Sequence, residues 1–343
     1  MEQLNSGRSL AAEEIDAAIA WLADEQVAPE PRADLLAALA RKGETATELS
    51  AFVRAMRARA VAVPFVPVDH TGEVLDVCGT GGDQLGTFNI STTVALVCAA
   101  AGVTVAKHGN RAVTSQSGSA DVLEALGIRI ELEPTEAARW LHEHQFAFLF
   151  APRYHPAARA IAPARKLCAA RGQRTIFNLL GPLLNPARPG AQLLGVPRPE
   201  LCETMARVLQ TVGTHRAMVV CGEVPGGHLD ELSTLGPSTI AEFHHDRGFH
   251  ASVLDPTMWP LQPADLAALA GGDRHTNARI VRDVLSGQDR GPRADAVQLN
   301  AAAGLFLAGR CSSMEQGWEL AARLLTDGSC LRKLEELIAA SRA

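Results

Sequence analysis

Apolar positions over residues 8–70 recur every three or four residues, the period of a helix that buries one face. Ile15, Ile19 and Leu22 form one stripe, and Leu35, Leu36 and Leu39 form a second. The second stripe ends in Arg41, Lys42 and Gly43, a favourable helix terminus. Thr45 and Glu48 have the spacing of a capping box, opening a third helix whose Leu49, Phe52, Val53 and Met56 share one face. Pro64 and Pro67 mark the exit from this helical segment.

From Val74 the rhythm changes to short apolar runs alternating with helical stretches. Strands are predicted at 74–78, 103–106, 128–132 (alternating Ile128, Ile130, Leu132) and Phe146–Phe150. Helices are predicted at 93–101, stopped by Gly102, at 119–126, ended by Gly127, from about Pro134, and at 154–171. Residues 192–196 and 217–221 are strand candidates around a helix near 200–211. From Ala264 onward, apolar runs at 278–285, 296–308, 318–325 and 331–339 predict a mainly helical end. Gly-Gly pairs at 226–227 and 271–272 predict surface turns. The segment 175–186 fits neither period, and its two proline corners predict a crossing between bodies. Strand–helix alternation predicts an α/β fold: a mostly parallel central sheet flanked by helices, with ligands at the carboxyl ends of the strands.

Composition narrows the function. A chain of 343 residues that is 47% apolar can bury a large core, as one large and one smaller domain. A net charge of −6 and 4% aromatics argue against nucleic-acid and anionic-membrane partners, which call for a basic face or stacking platforms. The seven cysteines contain no C-x-x-C pair and read as free thiols of a reducing compartment, not as disulfides or zinc ligands. Residues 1–6 lack a signal-peptide pattern and no apolar run is long enough for a membrane span, so a cytoplasmic protein is expected.

The candidate chemistry begins where the first strand opens into Gly79-Thr80-Gly81-Gly82-Asp83. Three glycines in four positions let main-chain N–H groups approach a ligand, and successive N–H groups form an anion trap. Ser91 and Thr92 read as caps of the following helix, whose N-terminus adds further donors. The spacing matches neither G-x-x-x-x-G-K-[ST] nor G-x-G-x-x-G. Lys107, His108 and Arg111 concentrate positive charge within five residues directly after a strand, and Asp230-Glu231 place two carboxylates side by side.

Gly79–Asp83 followed by Asn89-Ile90-Ser91-Thr92, together with Lys107-His108-Gly109-Asn110-Arg111-Ala112 running on to Gly127, resembles the two signature blocks of the anthranilate phosphoribosyltransferase family. The segment 175–186 resembles that family's "TIFNLLGPL-NP" block, and Ala162-Pro163-Ala164-Arg165-Lys166 its "APVRR" segment. The resemblance covers nearly the whole chain. It implies transfer of the phosphoribosyl group of 5-phosphoribosyl 1-pyrophosphate (PRPP) to the amine of anthranilate. It implies that PRPP meets Gly79, Gly82, Asp83, Thr87, Asn89, Ile90, Ser91, Thr92, the run Lys107, His108, Gly109, Asn110, Arg111, Ala112, Val113, Thr114, Ser115, and Ser119. Anthranilate would meet Arg165 through its carboxylate, with Gly79, Asn110 and His108 around the ring, and Mg2+ would be held by Ser91, Asp230 and Glu231. It further implies a helical domain over 1–70 joined by a returning segment at about 172–190, a large domain over 71–171 and 191–343, and a homodimer through the helical domain. Gln84, Thr114 and Gln116 depart from the family pattern, so loop behaviour and phosphate affinity are the details least fixed by it. Pyrimidine nucleoside phosphorylases share the general architecture by resemblance, but Gly79–Asp83 and the 107–112 block favour the transferase. A catalytically silent, nucleic-acid-binding relative is opposed by the acidic balance.

Overall fold

A computed structural model describes residues 2–66, 73–112 and 116–342; Pro67 therefore lies outside the described residues. The three N-terminal stripes are helices Ala12–Ala23, Pro29–Lys42 and Ala46–Ala58, and they bury Ile15, Ile19, Leu22, Leu36, Leu39, Leu49, Phe52, Val53 and Met56. Gly43 ends the second with a φ of +82°, a left-handed region that glycine enters without steric cost. The capping box of the third is present, Thr45 Oγ1 accepting from the Glu48 amide. Glu48 does more than cap: its carboxylate accepts from Lys42 Nζ (2.6 Å), Leu10 N (2.9 Å) and Thr45 N (3.1 Å), with both charged side chains buried. Burial alone pushes this carboxyl up, but the bonds from Lys42, Leu10 and Thr45 outweigh it and hold it below its ordinary range.

The apolar runs after residue 73 form one sheet. Strands β1 (Leu75–Gly79), β2 (Val105–Gly109), β3 (Phe146–Phe150), β4 (Ala191–Gly195) and β5 (Arg216–Val224) are parallel, in the order β3-β2-β1-β4-β5. Strand β6 (Gly227–Leu229) folds back on β5, while β7 (Ser238–His244) and β8 (Gly248–Leu254) extend the sheet antiparallel beyond it. Gly79 pairs with Gly195 and Gly109 with Phe150, so three strands end in glycine along one edge.

Alternation along the strands divides the interior into two cores. Leu75, Val77, Leu193, Met218 and Val220 face one core, shared with helices Ile90–Ala100 and Pro292–Leu307. Their neighbours Cys78, Leu194, Ala217 and Val219 face the other, shared with helix Glu200–Thr211, the N-terminal helices, helix Pro156–Ala170 and residues 176–184. Period-two burial makes the sheet the common wall of both cores.

The structure departs from the pattern in four places. Ile128, Ile130 and Leu132 are buried but join no strand; the extended segment is held instead by Tyr154 Oη donating to the Leu132 carbonyl. The helix expected at 93–101 begins at Ile90, so Ser91 and Thr92 lie inside its first turn and do not cap it. Gly271 braces the glycine loop instead of forming a surface turn, its N donating to Gly86 O at 2.9 Å, while Gly272 N donates to Asn277 Oδ1. The β6–β8 ribbon was not expected at all, because its half-exposed outer strand has no continuous apolar run. All seven cysteines are free thiols, six of them buried.

Glu48→Ala leaves Lys42 buried without its carboxylate, and breaking such a pair costs about 3–5 kcal/mol. Urea titration should show that loss near neutral pH, and a midpoint within error of the parent would refute the assigned role. Because the folded carboxyl is depressed, Glu48's contribution is present above the unfolded value of about 4.3 and is lost as pH falls through the folded one.

Candidate active site

The carboxyl edge of the sheet receives the acidic turn after β6. The Asp230 main-chain carbonyl lies only 1.5 Å from where a Cβ on Gly195 would stand, and Asp230 Oδ2 lies 2.6 Å from the corresponding point on Gly79. A Cβ on Gly222 would meet Glu231 O at 2.7 Å and Ser233 Cβ at 2.6 Å. Only strand ends without side chains admit this turn. Once admitted, it turns its carboxylates onto the glycine loop. Asp230 Oδ2 accepts from Gly81 N (2.6 Å) and Thr80 Oγ1 (3.3 Å), and Glu231 Oε1 accepts from Ser91 N (3.1 Å). The Gly81 amide of the loop is thus taken up by the chain's own Asp230 side chain.

Residues 79–92 hold their shape through contacts to the C-terminal half. Gly81 and Gly86 have φ of +70° and +68°, and Gln84, a non-glycine residue, is held at +57°. Gly82 packs close to Pro197, and the Asp83 side chain accepts weakly from Leu85 N at 3.4 Å. Thr87 bridges Ala270, Phe88 N donates to Leu269 O, and Asn89 Oδ1 accepts from Asn277 Nδ2 at 2.9 Å. Ile90 is buried, and the buried Thr92 hydroxyl has no hydrogen-bond partner among the described residues.

In the second block the charges have separate destinations. Lys107 is 1% exposed, its Nζ donating to Val77 O (2.6 Å) and lying 3.4 Å from Ser91 Oγ. It sits beneath the acidic turn and does not project into solvent. Arg111 pairs with Glu124 (2.9 Å) and Asp121 (3.1 Å) on helix Ser119–Leu126, and Asp121 also accepts from Ala112 N and Gly118 N. Gly109 is pressed against Ser119 and Phe148, and Asn110 O accepts from Ala120 N. Val113, Thr114 and Ser115 lie outside the described residues.

His108 is buried with its Nε2 3.2 Å from Nε2 of His155, the residue just before helix Pro156–Ala170. Burial and the neighbouring His155 push His108 down to about 3, so the ring is neutral at physiological pH. Burial likewise lowers His155 to about 4. On the same helix, Arg165 lies over the Phe177 ring at 5.2 Å, and burial lowers its pKa. Among the described residues its guanidinium has no hydrogen-bond or ion-pair partner. A half-buried, unpaired guanidinium against an aromatic ring suits a planar carboxylate that accepts two parallel bonds. Arg57, from the N-terminal helices, adds a half-buried cation that donates to Leu183 O at 2.8 Å.

The acidic turn has the chemistry of a hard-cation site. Burial and the nearby Asp83 raise Asp230 to about 7. Burial and Asp230 push Glu231 well up, against the opposing pull of Lys107. No lysine or arginine forms an ion pair with either carboxylate among the described residues. Carboxyl oxygens beside Ser91, whose amide donates to Glu231 Oε1, are hard oxygen donors that fit Mg2+ and not zinc. His244, His245 and Asp246 do cluster within 4.8 Å, but at the β7–β8 turn, paired to the start of β5 and away from the carboxyl edge.

Sequence reasoning missed Gly195, Asn277, Arg57 and His155. A glycine closing the strand predicted at 192–196 was a legible signal; the other three act through contacts with distant segments. Gly195→Ala drives a Cβ into the Asp230 carbonyl, and overpacking of this kind costs about 1–3 kcal/mol. Urea unfolding should register that loss together with reduced turnover; an unchanged midpoint and rate would contradict the packing described.

Residues 71–331 match the family model "Glycosyl transferase family, a/b domain", and residues 1–60 match "Glycosyl transferase family, helical bundle domain". An anthranilate phosphoribosyltransferase of Roseiflexus castenholzii is 45% identical over 342 residues, covering 99% of this chain and 96% of its own. The crystal structure of anthranilate phosphoribosyltransferase from Thermus thermophilus superposes with a TM-score of 0.89 at 43% identity, over 100% of this chain and 99% of that one. The Saccharomyces cerevisiae enzyme in complex with PRPP and Mg superposes with a TM-score of 0.87 at 28% identity, over 99% and 96%. With identity of this order along its whole length, the chain belongs to the anthranilate phosphoribosyltransferase family.

Proposed function

We infer that this chain transfers the phosphoribosyl group of PRPP to the amine of anthranilate, giving N-(5-phosphoribosyl)anthranilate and pyrophosphate. The observation that carries the reading is the meeting of two glycine turns with the buried Asp230–Glu231 pair at one sheet edge, in a chain matched end to end by such enzymes. That end-to-end match sets aside nucleoside phosphorolysis.

The roles follow from the chemistry of each group. PRPP would lie along Gly79–Thr92 and Lys107–Ser119, held by main-chain N–H groups and hydroxyls. Anthranilate would place its carboxylate on Arg165 and its ring near Gly79, Asn110 and His108. A neutral His108 beside it adds no charge that would compete with Arg165 for the carboxylate. Asp230, Glu231 and Ser91 would hold Mg2+, which supplies charge neutralisation of the donor's diphosphate. The anthranilate nitrogen bonds to ribose C1 as the C1–oxygen bond breaks, pyrophosphate leaves with the electron pair, and the amine proton passes to solvent. Because an aniline nitrogen is unprotonated near neutral pH, no strong base and no covalent nucleophile is required. Positioning and electrostatic stabilisation carry the rate.

The reading extends to a cytoplasmic homodimer joined through the helical domain, with no nucleic-acid or membrane partner. No helix among the described residues is long and apolar enough to cross a membrane. The helical domain is assigned to residues 1–70 plus a returning segment at about 172–190; Ile176, Phe177, Leu180 and Leu183 sharing a core with Ile15, Phe52 and Met56 support the return, and the same core takes in Ile161, Ala164 and Cys168.

Anthranilate fluorescence should fall on adding PRPP with Mg2+ and stay constant when the metal is chelated. Constant fluorescence in both arms would refute the activity. Arg165→Ala should raise the anthranilate KM, at a cost of about 1.5–3 kcal/mol for a lost charged hydrogen-bonded pair, and leave the PRPP KM near the parent's. An unchanged anthranilate KM would remove Arg165 from the site.

A further inference from the structure

The acidic turn is packed against glycines on its sheet side, and on its other side stands one polar side chain. Asn300, on helix Pro292–Leu307, is fully buried. Its Oδ1 accepts from Leu232 N at 2.9 Å, and its Nδ2 donates to Leu232 O at 2.9 Å and to Ala296 O at 2.9 Å. One carboxamide thus satisfies both main-chain groups of Leu232, as a neighbouring strand would, and anchors itself to its own helix through the third bond. Leu232 directly follows Glu231 and is itself fully buried, so no water stands ready to replace Asn300.

We propose that Asn300 is a positioning residue for the Asp230–Glu231 pair: by clamping Leu232 it sets where the two carboxylates point and so how tightly the site holds a divalent cation. The glycines Gly79, Gly195 and Gly222 only make room; they define how close the turn can come, not where along the edge it stops. The reciprocal bonds to Leu232 supply that register. From that register Glu231 Oε1 accepts from Ser91 N and Asp230 Oδ2 from Gly81 N. Replacing the carboxamide strands a buried N–H and C=O, and the turn relieves this by moving toward water, carrying both carboxylates with it. Partners that orient metal-binding groups typically change metal affinity by about 10–100-fold when removed.

The inference rests on the cation assignment made above, so its test separates the two. Mn2+ binding to the full-length protein with PRPP, followed by electron paramagnetic resonance, gives a readout other than turnover. Asn300→Leu removes all three bonds at nearly constant volume, and Asn300→Ala removes them with a cavity. Either variant should weaken Mn2+ binding about tenfold or more, keep the parent anthranilate KM, and regain turnover with excess cation. Parent-like Mn2+ affinity in a folded variant, or an equal loss in anthranilate KM without rescue by cation, would overturn the proposal. Unchanged Mn2+ affinity in the Asp230→Asn, Glu231→Gln double variant would instead remove the cation from this pair. Amide exchange of the unaltered protein guards against variants that fail to fold. Leu232 N–H should be among the slowest to exchange, and rapid exchange there overturns the clamp with no variant needed.

Discussion

A glycine at the end of β4 lets the Asp230 carbonyl pass where any side chain would stand, and the rest of the site depends on that approach. It brings a turn from β6 onto the carboxyl edge of the parallel strands, beside a second glycine at the end of β1. The two carboxylates then meet the amides of the loop and of the helix start that follow β1. Close packing removes water from them, which raises the pKa of both, and among the described residues no lysine or arginine forms an ion pair with either. Steric room thus becomes electrostatic character.

This explains how a chain of net charge −6 can be suited to a polyanionic donor. Fixed positive charge is not massed at the surface. Lys107 lies under the acidic turn, and Arg111 is committed to Glu124 and Asp121. On the proposed reading, attraction for the donor comes from main-chain dipoles and from a cation held by the carboxylates, both available only where the fold brings them together. The acceptor side differs: Arg165 and Arg57 are lowered by burial but remain cationic at neutral pH, and the histidines near Arg57, His108 and His155, are kept neutral by burial. A single planar carboxylate is the size of charge such a place suits.

Much of this was legible because local chemistry and tertiary role coincide. The stripes of the N-terminal helices, the capping box at Thr45 and Glu48, and the runs at β1, β3, β4 and β5 follow from side-chain period alone. The Gly79–Asp83 turn was legible because glycine density has few other uses. What escaped notice rests on partners far away in the chain. Asn277 matters through Asn89, His155 through His108, and Asn300 through Leu232, and nothing adjacent in sequence marks any of them. The β7–β8 ribbon escaped for another reason: one of its strands is largely exposed, so its composition lacks the apolar run of a buried strand. Ile128, Ile130 and Leu132 show the converse, an alternating pattern that buries its residues with no ladder to join.

The sheet's double duty has a bearing on how the polypeptide reaches its native state during synthesis. The N-terminal helices share their core with Leu194, Ala217, Val219 and Phe243, residues that leave the ribosome far later. At about 5–20 residues per second, on the order of ten seconds or more separate the first helices from the wall they lean on. Through that interval the N-terminal helices cover one another in part, Ala12–Ala23 against Ala46–Ala58, while the apolar surface they turn to the sheet has no native cover until the fifth strand emerges. Order of manufacture and order of assembly run in opposite directions here.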